Sequence, residues 1–135
     1  MTIELVSQVP DVDTYLELRA NGGLSGYDRK AAEIGLRNSL FSVLLLDEGT
    51  PIGMGRLIGD GGCFVQVTDI VVLPGYQGRG LGKRIMAALT EFIESELPPT
   101  TYVSLIADVP ANKLYQQFGF HETAPASVGM SRRSS

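Results

Sequence analysis

Between Tyr76 and Arg84 the sequence YQGRGLGKR sets three glycines among three cations, directly after the apolar run IVVLP. A strand-like run that empties into a glycine-rich turn and then a helix gathers unpaired backbone N–H groups and the positive end of a helix dipole at one point. Such a point attracts an anion. Glycines let the backbone approach phosphate oxygens with no Cβ in the way, and Arg79, Lys83 and Arg84 would supply counter-charge to a pyrophosphate or terminal phosphate. Two phosphate loops fail on spacing. A Walker loop would need glycine where Gln77 stands and Ser or Thr where Arg84 stands, and a dinucleotide fingerprint would need glycine at Lys83 or Ile85. On the loop alone, a tight turn with a solvated basic rim is the competing reading.

The elements that must position this loop follow from periodicity. TIELV alternates and suits a first strand; VPDVDTYLELRA opens with proline and acidic residues, as a helix does, and ends near NGG. A second helix is predicted in SGYDRKAAEIGLRNSL, with Ala31, Ile34 or Gly35, and Leu36 in one apolar arc. Three apolar, β-branched runs from Phe41 to Pro74, punctuated by DEGTP and GDGG, read as an antiparallel meander. Leu81, Ile85, Met86, Leu89, Phe92 and Ile93 then form a helical stripe that LPP stops. YVSLIAD reads as a buried strand, ANKLYQQFGF as a short helix ending at Gly119, and the tail from FHETAP to SVGM as two final strands. The expected order is β, α, α, β, β, β, α, β, α, β, β: an α/β fold, with residues 1–135 as one domain.

Composition narrows the chemistry. A formal charge of −4 leaves no basic footprint for nucleic acid and mildly favours a cationic acceptor. One cysteine, Cys63, and one histidine, His121, are too few for an intrachain disulfide or a structural zinc site, so no metal is expected. Cys63 reads as a small core residue and His121 as a surface or partly buried histidine. The start MTIELVSQVPD has no basic segment followed by an apolar one, and no apolar stretch approaches the roughly 20 residues of a membrane helix. The expectation is a cytoplasmic protein with no membrane partner.

One spacing does match. Gln77, Gly80 and Gly82 form Q-x-x-G-x-G after DIVVLP, and ANKLYQQFGF carries a tyrosine on a short helix closed by Gly-Phe. Together with the element order, these resemble the GNAT N-acetyltransferase superfamily over nearly the whole chain. The resemblance implies a mixed, mostly antiparallel twisted sheet flanked by helices, and acetyl-CoA as co-substrate. It assigns the pyrophosphate to Gln77, Gly78, Arg79, Gly80, Leu81, Gly82 and Lys83. It assigns the pantetheine arm to the backbone of Ile70, Val71 and Val72, in a gap where DIVV splays from YVSLIAD; a buried strand edge needs such partners. One of those N–H groups could also bind the oxyanion of the tetrahedral intermediate.

Tyr115 stands where the family often has its general acid. A phenol near 10 is a weaker acid than a thiol near 8.5, so full proton transfer to the leaving thiolate is uphill by roughly 2 kcal/mol, and a hydrogen bond to the sulfur is the better role. The competing reading makes Tyr115 only the aromatic of a short amphipathic helix. Where the family often has asparagine, seven residues before the tyrosine, this chain has Asp108; Asn112 could share its contact with the cofactor. No residue is clearly placed as general base: Asp69 is the candidate, with a solvated strand-end or turn-capping carboxylate as the alternative. The resemblance thus implies an N-acetyltransferase acting on a primary amine of a small acceptor, held between the first two helices and the loop ahead of SVGM. Two alternatives stand beside it: a catalytically silent acyl-CoA sensor, and a domain gripping another phosphate ligand. Edge-strand pairing in the family leaves a homodimer open.

Overall fold

The computed structural model describes residues 2–135. The chain forms two compact units, one running to Leu105 and the other spanning Ile106–Ser135. In the first, the alternating residues Ile3–Ser7 make strand β1, and helices α1 (Val12–Asn21) and α2 (Arg29–Arg37) follow. Each helix is started by an aspartate. Asp11 accepts the Thr14 N–H at 2.8 Å and Asp28 the Ala31 N–H at 3.2 Å, which satisfies one orphan donor of each first turn. With α2 so phased, its buried residues are Ala32 and Leu36, one turn apart. Ala31 and Ile34, expected on the inward arc, are exposed.

The meander forms as β2 (Phe41–Asp47), β3 (Thr50–Gly59) and β4 (Phe64–Val72). A short 3-10 turn at Pro74–Tyr76 leads through the glycine loop into α3 (Leu81–Glu96), and β5 (Tyr102–Ser104) closes the unit. The sheet order is β1-β2-β3-β4-β5, antiparallel except for the β4–β5 pair. One face packs Leu44, Met54 and Val71 under Tyr15 and Leu18 of α1 and Ala32 and Leu36 of α2. Against Gly55 of β3 lie Ile85 and Leu89 of α3; a Cβ there would sit 2.4 Å from Ile85 Cγ2 and 3.0 Å from Ile70 Cδ1.

Gly55 also marks a break in register. Met54 pairs with Val71 and Arg56 with Thr68, so the single residue Gly55 faces two on β4, Asp69 and Ile70. Asp69 takes a left-handed φ of 58° in this bulge. The extra residue resets the alternation of β4, which lets Gln66, Thr68, Asp69 and Val71 all serve the α1–α2 side.

Three expectations change here. YVSLIAD forms only a three-residue strand, with Tyr102 exposed at 55%, because it pairs on one side only, at the sheet edge. Cys63 is exposed rather than in the core: it lies in the β3–β4 turn, where Asp60 Oδ1 accepts the N–H groups of Gly62, Cys63 and Phe64 at 2.8, 2.8 and 3.0 Å. The two final strands are not formed among the described residues. In the second unit, α4 (Asn112–Gln116) is followed by an exposed segment with a turn at 124–126. There the Ser127 N–H donates to the Thr123 carbonyl at 3.1 Å and Thr123 Oγ1 to the Ser127 carbonyl at 3.2 Å, so local bonds replace a ladder.

Gly55→Ala should drive a methyl into Ile85 and Ile70 and cost about 1–3 kcal/mol. Urea unfolding checks this as a lower midpoint at unchanged slope.

Candidate functional site

The glycine loop is braced at its start. The Gln77 side-chain amide donates to the Val72 carbonyl at 2.9 Å, and the Tyr76 hydroxyl donates to Asp47 Oδ2 at 2.5 Å, which ties the loop to the end of β2. That bond holds the Tyr76 phenol above its usual pKa. Gly78 and Gly80 have φ of 79° and 75°, conformations that a side chain would strain, and Gly80 is the N-cap of α3. Having no side chain, Gly80 offers the first turn no cap; the first N–H of α3 to turn back on the helix is that of Arg84, to the Gly80 carbonyl. The N–H groups of Leu81, Gly82 and Lys83 therefore stand at the exposed mouth of the helix dipole. Arg79 lies over the Tyr76 ring, 5.5 Å from its centroid, and Lys83 is exposed. Arg84 turns away and donates to the Ile3 carbonyl at 3.0 Å.

β4 reaches this loop with one edge open. It pairs with β5 only over Phe64–Gln66, so the backbone of Ile70, Val71 and Val72 has no β5 partner. Strand edge, glycine loop and helix N-terminus succeed one another along the chain.

The other candidate residue of this unit, Asp69, lies in a buried polar cluster. Its Oδ1 accepts the Tyr15 hydroxyl at 2.9 Å and Arg19 Nη1 at 2.5 Å, and its Oδ2 accepts Arg56 Nε at 2.8 Å. The side chains of Asp69, Arg19 and Arg56 are 2%, 9% and 10% exposed. Arg19 also donates to the Ser25 carbonyl from Nε at 2.9 Å, and its guanidinium stacks 4.6 Å from the Tyr27 ring centroid. Arg56 Nη1 donates to the Gly35 carbonyl and to Ser39 Oγ, both at 3.1 Å. Burial, with the adjacent Asp69 carboxylate second, pushes the Tyr15 phenol up to about 12. Beside the cluster is a cavity of about 250 Å³ walled by Tyr15, Tyr27, Arg56, Gln66, Thr68 and Asp69, among others.

Of these residues the sequence alone points to Asp69. Tyr15, Arg19, Arg56, Tyr27 and Gln66 were missed. The available signal was a lone arginine in the apolar run IGMGRLIG, adjacent in the meander to a lone aspartate in VTDIVV. Asp108, Asn112 and Tyr115 belong to the second unit. Tyr115 is half-buried there, and burial first, then the Asp108 carboxylate, raises its phenol above the usual value. Asn112 donates to Glu122 Oε2 at 3.3 Å, while its own Oδ1 is buried without a partner among the described residues. No group of three or more His, Cys, Asp or Glu among the described residues could hold a metal ion, and no helix among them is long and apolar enough to cross a membrane.

Residues 37–122 match the family described as "Acetyltransferase (GNAT) domain". A solved structure from methicillin-resistant Staphylococcus aureus, described as a "Probable Acetyltransferase", is 46% identical, with a TM-score of 0.93 over 98% of this chain and 100% of that one. A GNAT family acetyltransferase structure from Streptococcus pneumoniae TIGR4 is 26% identical, with a TM-score of 0.81 over 98% of each chain. An "Uncharacterized N-acetyltransferase ycf52" of Gracilaria tenuistipitata var. liui is 30% identical over 105 residues, 75% of this chain and 57% of the relative. The chain thus spans little more than half the length of that curated relative.

The raised Tyr15 pKa fixes a sign. Stability from the protonated phenol is fully present below about pH 10 and is lost as pH rises through about 12. Wild type should therefore lose more stability between pH 10 and 12 than Tyr15→Phe, measured by urea unfolding at each pH.

Proposed function

Because the chain belongs to the GNAT acetyltransferase domain family, we propose that it moves an acetyl group from acetyl-CoA to a primary amine of a small acceptor by direct attack on the thioester. One observation carries this reading. The strand edge freed where β4 outruns β5 leads directly into an uncapped helix N-terminus wrapped by glycines. Pantetheine amides would pair with the backbone of Ile70, Val71 and Val72. The pyrophosphate would take the N–H groups of the segment Gly78 to Lys83, with Arg79 and Lys83 as counter-charges. Gln77 serves by holding Val72 and the loop together rather than by touching phosphate. Asp108 and Asn112 are assigned to the cofactor as well, Asn112 Oδ1 being an acceptor without a partner among the described residues.

In the reaction the amine nitrogen bonds to the thioester carbonyl carbon, a backbone N–H on the free edge of β4 holds the developing oxyanion, and the C–S bond breaks to release a thiolate, the nitrogen giving up through solvent the proton that the sulfur gains, which leaves amide and thiol. Tyr115 donates a hydrogen bond to the departing sulfur; with its phenol raised above the usual value, it is suited to sharing a proton rather than giving it up. Asp69 is read as a positioning residue. Both its oxygens are already engaged by Tyr15, Arg19 and Arg56, so it sets the cavity wall, and the entering ammonium loses its proton to solvent. The same engagement favours a second reading, an acyl-CoA sensor without turnover.

Acetyl-CoA, unlike ATP or NAD, should raise the Tm, and mixing with amines should then release thiol; a Tm shift without thiol release selects the sensor. Tyr115→Phe should lower kcat about 100-fold and leave the acetyl-CoA shift in place, whereas unchanged turnover removes Tyr115 from the mechanism. If solvent takes the proton, the rising limb of kcat/KM against pH should move with the pKa of whichever amine is used. A limb fixed at one pH for all amines would instead reveal a base on the protein.

A further inference from the structure

The buried cluster is not electrically balanced. Arg19 and Arg56 share the single carboxylate of Asp69, and the other residues named around the cavity, Tyr15, Tyr27, Gln66 and Thr68, carry no charge at neutral pH. One net positive charge remains in a place that is nine-tenths shielded from water, where an unneutralised ion is costly. The surplus has an address. Arg56 spends Nε on Asp69 and Nη1 on Gly35 and Ser39, while Nη2 has no hydrogen-bond partner among the described residues. That nitrogen lies 4.0 Å from where a Cβ on Gly35 would stand, and Gly35 itself lines the cavity. A glycine at this point on α2 leaves open the approach that a methyl would cover.

We propose that the cavity takes small amines that also carry an oxyanion, a carboxylate or a phosphate, which docks on Arg56 Nη2 with Thr68 and Gln66 beside it. The oxyanion would neutralise the surplus charge through a charge-assisted hydrogen bond from a guanidinium already fixed on its other two nitrogens, so little ordering remains to be done on binding. The volume, about 250 Å³, is below the roughly 300–1,000 Å³ of drug-sized sites and fits a small metabolite. The chain-wide charge of −4 mildly favours a cationic acceptor, but the buried cluster beside the cavity carries the opposite sign, and Arg56 is its cationic member on the cavity wall. The amine half of this inference rests on the acetyltransfer reading; the oxyanion half does not.

Matched pairs test it: O-phosphoethanolamine against ethanolamine, and β-alanine against propylamine, each followed by thermal shift with and without CoA and by thiol release with acetyl-CoA. In wild type the oxyanion member of at least one pair should act at a concentration at least about tenfold lower, in the Tm shift and in kcat/KM. Which pair responds distinguishes phosphate from carboxylate. The preference should collapse to within about threefold in Arg56→Gln. Because that variant also loosens Asp69, Gly35→Ala is the companion: it keeps every charge, favours the helix, and sets a methyl against Nη2, and it should weaken the preference as well. Inorganic phosphate should inhibit competitively against the amine and not against acetyl-CoA, which separates this site from the glycine loop. Equal responses within both pairs in wild type, including no response to any member, overturn the inference. A missing acetyl-CoA shift overturns the acetyltransfer reading instead, and the Tm shifts measured without CoA still decide the oxyanion site.

Discussion

The Asp69 carboxylate bridges two buried guanidiniums and a phenol, and most of what surrounds the cavity depends on that bridge. Through Tyr15 and Arg19 it fastens α1 to the sheet; through Arg56 it fastens β3, which in turn reaches the Gly35 carbonyl and Ser39 at the end of α2. Asp69 can make these bonds because it sits in a bulge at a left-handed φ of 58°, a conformation that costs a non-glycine residue on the order of 1 kcal/mol. Two charge-assisted bonds, each contributing roughly 1.5–3 kcal/mol where well formed, offset that strain. Without the extra residue in β4, Thr68 and Asp69 would point to opposite faces, and the polar group would fall among Ile85 and Leu89.

The same strand sets the spacing of the two half-sites. Its first residues are paired with β5, its middle carries the bulge, and its last three run to the glycine loop with no β5 partner. At about 3.3 Å per residue, the bulge and the last strand residue are some 10 Å apart. One rigid element, packed on both faces, thus presents a polar cavity wall at one point and free backbone groups just beyond it. On the proposed reading, β4 alone would set the distance between donor and acceptor, with no long-range device.

What was legible in the sequence was local. The loop spacing at Gln77, Gly80 and Gly82, the stripe from Leu81 to Ile93 and the meander all depend on neighbours within a few positions, and they form as read. The cluster depends on residues 13, 50 and 54 positions apart and on a bulge that no turn residue announces. YVSLIAD has the composition of a buried strand, yet its length is set by how far β4 stays beside it. The tail alternates well enough for strands, but Thr123 and Ser127 bond to each other first. In helix α2, Leu36 faces inward as its apolar arc implies, but the residue one turn before it that packs is Ala32 rather than Ala31, a choice made by the core beneath it.

Charge shows most clearly why local and global readings part. The net −4 is dominated by the solvated surface, where each ion is screened within about 10 Å at ordinary salt. Arg19, Arg56 and Asp69 are removed from that screening, so their own sum decides what can share their space. Such clusters seldom add stability over a well-packed apolar core, since desolvating each ion cancels much of the attraction. Their advantage is directional. A guanidinium held on two of its three nitrogens presents the third at a fixed angle, which an apolar side chain cannot do, and the net charge left over determines the sign of the group it will accept.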